Sequence, residues 1–351
     1  MFDQIQHRGF IPPYVLDRII ERGSPSQRSR ALGTLDHVRH LLPNPGPPNR
    51  QPMPSVLPER GPRGQPRRSI HDAQQQMQLP GVLARIEGQA PVADAAVDEA
   101  YDALGITHDF FWTVFGRDSI DDHGFALVGT VHYGVGYENA FWNGAQMVFG
   151  DGDGEIFNRF TLALDVVAHE LAHGVTESEA GLVYLDQSGA LNESVSDVFG
   201  VLVQQYSQRQ TADQADWLIG AALLTENVQG VALRSMANPG SAYDDPVLGK
   251  DPQPGHMRDF IHTRDDNGGV HLNSGIPNRA FYLAATAIGG HAWEKAGQIW
   301  YDTLCDARLP RDADFATFAR LTRDNAANRF GDGDVVRAVE QGWTDVGVTL
   351  A

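Results

Sequence analysis

The chain of 351 residues has a single cysteine, Cys305, so no disulfide can form within it and the fold does not depend on an oxidising compartment. It also has no apolar run long enough to span a membrane as a helix. Its opening, MFDQIQHRGFIPPYVLDRII, shows neither an apolar signal region nor a small-residue cleavage site. From that we expect synthesis and residence in the cytoplasm by default, with any secretion by a non-standard route. Lysine is missing from the first 70 residues, which carry eleven Arg and five acidic residues for a formal +6, whereas the remainder stands at −24. The two parts should attract each other. Nucleic acid is excluded as a partner, because the Arg residues lie among Pro and Gly rather than among aromatics and the acidic body repels phosphate. A membrane partner is excluded as well.

The hydrophobic share, 42%, and the length suit two core-containing domains plus an appendage. Residues 10 to 22 form a short amphipathic stretch behind Ile11-Pro12-Pro13-Tyr14, and TLDHVRHLL at 34 to 42 reads as a second short helix. PNPGPPNRQPMPSVLPERGPRGQPRR, from Pro43 to Arg68, is too rich in Pro, Gly and Arg to build a core and reads as a linker. Beyond it, FALVGTVHYG and AQMVFGDGD cluster β-favouring residues between turns, and after residue 160 a helical period takes over. DGDG at 151 to 154 lacks the distal Glu of a calcium loop and reads as a hairpin turn.

The most informative segment is HELAH at 169 to 173. On a helix, His169 and His173 project to one face a turn apart, and Glu170 reaches the same region without being a ligand. Glu193 in NESVSD, twenty residues further on, is the natural third ligand for one zinc ion with an open fourth position. Asp197, a turn beyond, is placed to accept a hydrogen bond from the free ring nitrogen of His169. A chance histidine pair on a surface helix is the competing reading. The apolar residues before it, FTLALDVVA, argue against that, since a buried Glu between two buried His needs a partner.

These residues sit within five separated blocks: YENAFWNGAQMVFGDGDG (137 to 154), DVVAHELAHGVTE (165 to 177), SGALNESVSDVFG (188 to 200), LRSMANP (233 to 239) and DNGGVHLNSGIPNRAFYL (266 to 283). In order and content they resemble the thermolysin family of zinc metallopeptidases, and the Ile-Pro-Pro-Tyr element resembles the short propeptide of its protealysin branch. The resemblance implies an α+β fold of two domains, β-rich then mainly helical, with the zinc site in the cleft between them. The expected organisation is a propeptide over 1–42, a linker with the processing site over 43–68 and cleavage around Arg68 and Ser69, a first catalytic domain over 69–180 and a helical one over 181–351.

By the same resemblance, the activity is that of a neutral endopeptidase made as a zymogen and inhibited by its own propeptide, cutting peptides or proteins on the N-terminal side of apolar residues. Glu170 is the general base toward a water acidified by zinc, His271 and Tyr184 stabilise the oxyanion, and Asp266 orients His271. Asn139 and Ala140 bind the substrate backbone by strand addition, and Arg234 holds the carbonyl after the cut. Phe157, Phe160, Val166 and Leu233 wall the pocket for the side chain that follows it, with Phe160 standing where a smaller Leu is usual. Calcium is not expected at the family's paired site, where Gln204, Leu218 and Ala221 replace acids and only Asp165 and Asp216 remain. Three alternatives compete. An aminopeptidase would carry a G-x-M-E-N element, a silent scaffold would have lost Glu170 or His271, and a structural zinc site would be closed by a fourth ligand.

Overall fold

A computed structural model describes residues 9–40 and 62–350, which divide into two compact units. No helix among the described residues is long and apolar enough to cross a membrane. The first unit runs to Gly174 and takes in Ala222–Val228 and Asp245–Gly249; the second holds the rest.

In the first unit, α1 (Pro13–Arg22) starts at a proline whose fixed φ and missing N–H suit a first helical turn. α2 (Pro25–His40) begins nine residues earlier than the sequence expectation. The reason is a capping box: Gln27 Oε1 accepts from Ser24 N–H at 2.7 Å, and Ser24 Oγ accepts from Gln27 N–H at 3.3 Å. The strands β1 (Arg68–Asp72), β2 (Val82–Ile86), β3 (Leu127–Val131), β4 (Ala140–Trp142) and β5 (Met147–Phe149) form one mixed sheet in the order β2-β1-β3-β5-β4. β4 therefore lies at an edge, paired antiparallel with β5. α3 (Ala95–Phe110) is capped by Asp94, whose carboxylate accepts from Ala96 and Val97 N–H.

Two expectations change here. The Arg68–Ser69 bond lies inside β1, which is paired on both sides, and Arg68 is tied by its side chain to both oxygens of Glu87. The tail of the expected linker is docked too, with Gly64 N–H donating to Asp118 and Arg63 over the Trp112 ring. Residues 151–154 do not join two strands of a hairpin. They follow β5 as a loop that Asp153 Oδ1 folds on itself, accepting from the N–H groups of Glu155, Ile156 and Phe157.

α4 (Leu164–Ser178) begins in the first unit and its last turn belongs to the second. The second unit is mainly helical. α5 (Asp186–Gln208) is buried over most of its length, as expected of a helix whose turns are apolar or small on nearly every side. Around it and beyond it run α6 (Asp266–Asn273), α7 (Gly275–Ile288), α8 (Ala296–Leu304), α9 (Phe315–Phe330) and α10 (Asp334–Asp345). Trp300 of α8 stacks on Trp343 of α10 at 6.0 Å and meets Phe281 of α7 edge-on at 4.9 Å.

Candidate active site

The first unit carries half of the expected catalytic set. His169, Glu170 and His173 are buried on α4, and one ligand atom from each lies within 4.8 Å of the others. The two Nε2 atoms are 3.1 Å apart with the rings nearly perpendicular. Two imidazole nitrogens turned on one point in a buried setting suit a borderline cation such as zinc. Glu170 Oε2 accepts from Trp142 N–H of β4 at 2.9 Å, which fixes the carboxylate against the edge strand. Phe157, Phe160 and Val166 are all fully buried in this unit, the two phenyl rings 6.0 Å apart.

The N-terminal segment lies on that same edge. Phe10 N–H donates to Ala140 O at 2.9 Å, Ile11 N–H donates to Asn139 Oδ1 at 2.8 Å, and Asn139 Nδ2 donates to Ile11 O at 3.3 Å. The Phe10 ring meets His169 edge-on at 5.1 Å. Gly9 makes this approach possible: its φ is +88°, and a Cβ there would come within 2.6 Å of Ala140 O. Behind it, His37 of α2 hydrogen-bonds Tyr133 and Tyr137 at 3.0 Å and packs on Phe141. The partners in these contacts are not readable from spacing; the cues to docking were the Ile-Pro-Pro-Tyr element and the opposite charges of the two parts.

The second unit carries the other half. Tyr184 OH donates to Glu193 Oε1, and lies 3.2 Å from His271 Nε2. Asp266 receives His271 twice, at the ring Nδ1 (2.7 Å) and at the backbone N–H (2.9 Å). Burial disfavours the His271 imidazolium, but the Asp266 and Glu193 carboxylates outweigh it and hold the ring's pKa above the ordinary histidine value. The local sequence makes this clamp possible. Residues 266–269 all have positive φ, and a Cβ on Gly268 would overlap Asp186 at 2.1 Å. Asp197 is bound by Arg234 in a two-pronged pair (3.0 and 2.7 Å) and by Asn278 at 2.8 Å, all three buried. That pairing was not foreseen from sequence, where Arg234 and Asp197 had separate roles. Leu233 is buried next to it.

Comparison with known proteins fits this geometry. Three family models match: the protealysin propeptide over residues 8–50, the thermolysin metallopeptidase catalytic domain over 71–177, and the thermolysin metallopeptidase alpha-helical domain over 180–348. An extracellular metalloprotease of Pectobacterium carotovorum subsp. carotovorum is 63% identical over 340 residues, covering 97% of this chain and 96% of that protein. The extracellular minor metalloprotease of Serratia marcescens is 46% identical over 82% of this chain and 80% of its own length. The structure of the precursor of protealysin, a metalloproteinase from Serratia proteamaculans, superposes with a TM-score of 0.90 at 62% identity, covering 97% of this chain and 99% of that one. The expectation of cytoplasmic residence is thereby overturned: relatives at this identity are named extracellular, which points to secretion. The chain belongs to the thermolysin family of metallopeptidases.

Proposed function

We propose that the protein is a zinc-dependent neutral endopeptidase made as a zymogen, with His169, His173 and Glu193 holding one zinc ion. The observation that carries this reading is the buried His169–Glu170–His173 constellation on α4, with Glu170 held by Trp142 N–H. Zinc bound there supplies Lewis-acid help to the attack of water on a peptide carbonyl. Glu170 takes the water's proton and returns it to the leaving amine. In the second unit, Tyr184 and His271 offer an O–H and an N–H to the developing oxyanion, and Asp266 keeps His271 oriented. Asn139 and Ala140 align the substrate backbone, Arg234 takes the carbonyl after the cut, and Phe157, Phe160, Val166 and Leu233 receive the apolar side chain there. Asp197 steadies this set through Arg234 and also serves His169.

The substrates are peptides or proteins, and the N-terminal segment is the intramolecular inhibitor. Support for the latter is chemical: Phe10 and Ile11 use the Ala140 carbonyl and the Asn139 amide, the groups a substrate strand would use. Processing falls upstream of Arg67, because a bond inside a doubly paired strand cannot enter a protease cleft without opening the sheet. No calcium pair is expected at the family's paired site, where only Asp165 and Asp216 remain as acids. The test is metal exchange on the processed enzyme: removal of zinc by a chelator should abolish cleavage of peptides with internal Leu or Phe, and one equivalent of zinc should restore it. Full activity in a zinc-free sample would reject the proposal.

A further inference from the structure

Glu138 precedes the substrate-type contacts of Asn139 and Ala140, is fully buried, and has no hydrogen-bond partner for either carboxylate oxygen among the described residues. Leaving a carboxylate so is costly unless a cation faces it. The cation is Arg30 of α2, whose stem lies on Gly136. Its Nη1 donates to Asp153 O at 3.3 Å and stands 4.0 Å from Asp153 Oδ2 and 3.9 Å from Glu155 Oε1. Asp153 Oδ2 is also buried without a hydrogen-bond partner, its other oxygen being used by the loop. Burial, with Asp153 and Glu155 beside it, pushes the Glu138 carboxyl up to about 8 against the pull of Arg30. So the N-terminal segment fills two features at once: a backbone edge, and an acidic notch that takes a guanidinium.

Only the first of these has a use in the proposed function. Phe10 and Ile11 of the bound chain lie against Ala140 and Asn139, so the chain runs antiparallel to the edge strand, toward Glu138. Phe10, apolar and set against His169, stands for the residue that follows the cut. We propose that, once the N-terminal segment has left, Glu138, Asp153 and Glu155 form a subsite for a cationic side chain, arginine or lysine, two or three residues beyond the cleaved bond of a substrate. The inference rests on the endopeptidase reading and on departure of Arg30 with the segment.

The experiment uses the processed enzyme and single-cut peptides with Arg or norleucine at the second or third position after the cut. Measured at a pH above the Glu138 value of about 8, the ratio of kcat/KM for the Arg peptide to that for the norleucine peptide should be about tenfold at one of these positions, the yield of one desolvated charge pair of ~1.4 kcal/mol. Glu138→Gln should collapse that ratio, and Glu155→Gln, a half-exposed change that spares the core, should lower it roughly threefold. A ratio near one at both positions, or a ratio that neither variant moves, overturns the subsite. So does an equal gain from Arg six residues beyond the cut, which reports only attraction to the acidic body. Failure of the wild-type enzyme to cut any norleucine peptide would instead sink the endopeptidase reading, and the subsite with it.

Discussion

Arg234 is where the residue scale is most demanding, since one guanidinium satisfies Asp197 inside the protein and is also assigned to a substrate carbonyl. Both groups of the pair are almost completely buried, at 1% and 0% side-chain exposure. Removing one partner of such a pair leaves an uncompensated charge, a loss of about 3–5 kcal/mol. Arg234→Met should therefore lower the unfolding free energy by that amount in a denaturant titration as well as lowering kcat/KM. A stability loss under about 1 kcal/mol would show that Asp197 does not depend on it. At this scale the sequence was legible wherever chemistry dictates spacing: His169, Glu170 and His173 follow from helical geometry alone. It was silent on Glu138 and on the Arg234–Asp197 pair, because residues far apart in the chain meet only through the fold.

Among the elements, the start of α3 is tied to the sheet by a histidine bridge. His132, just past β3, places Nδ1 2.9 Å from Asp151 and Nε2 3.1 Å from Asp94, the α3 cap. Hydrogen bonding to Asp151 is the main cause that raises the His132 pKa to about 9; burial opposes it, and the Asp151 charge and Asp94 add to it. A pKa higher in the folded than in the unfolded state adds stability that is complete below about 6.5 and is lost as pH rises through about 9. The melting-temperature difference between wild type and His132→Gln should thus be largest near pH 6 and shrink by pH 10. A difference that is flat or grows over that range would mean the bridge is not charged.

Elements whose signals are local were readable in advance: α4 and α5 by their period, β3 and β5 by their β-branched residues. The early start of α2 hides in Ser24 and Gln27, a four-residue capping cue at the edge of a segment without a clear apolar period. The docking of residues 62–67 was missed because a composition of Pro, Gly and Arg describes the free chain, and it says nothing about anchors such as Asp118 and Trp112.

For the whole molecule, the charge split between the first 70 residues and the rest gives the N-terminal segment an attraction to the body that salt would screen beyond about 8 Å. The buried Phe10, Ile11, Val15, Leu16 and Ile19 make the association insensitive to that screening. Calcium belongs to this scale as well, because a ligand that binds only the native state raises the stability of all of it. With zinc held constant, free calcium from zero to millimolar should move the melting temperature of the processed enzyme by no more than about 2 °C, since Gln204, Leu218 and Ala221 leave too few carboxylates. A rise of about 10 °C would mean that other residues complete a tight site.

The central claim joins Glu170 to the fate of the N-terminal segment, and intact mass followed together with peptide hydrolysis tests both. Glu170→Gln keeps the shape of the side chain and its place against Trp142 N–H but cannot accept a proton, so the full chain should bind one zinc, remain at 351 residues and cleave no peptide. Wild-type chain in the same buffer should shorten to a species that begins upstream of Arg67 and gain activity in step. Near-normal turnover by Glu170→Gln, or an intact wild-type chain that cleaves peptides as fast as the shortened one, would contradict the account.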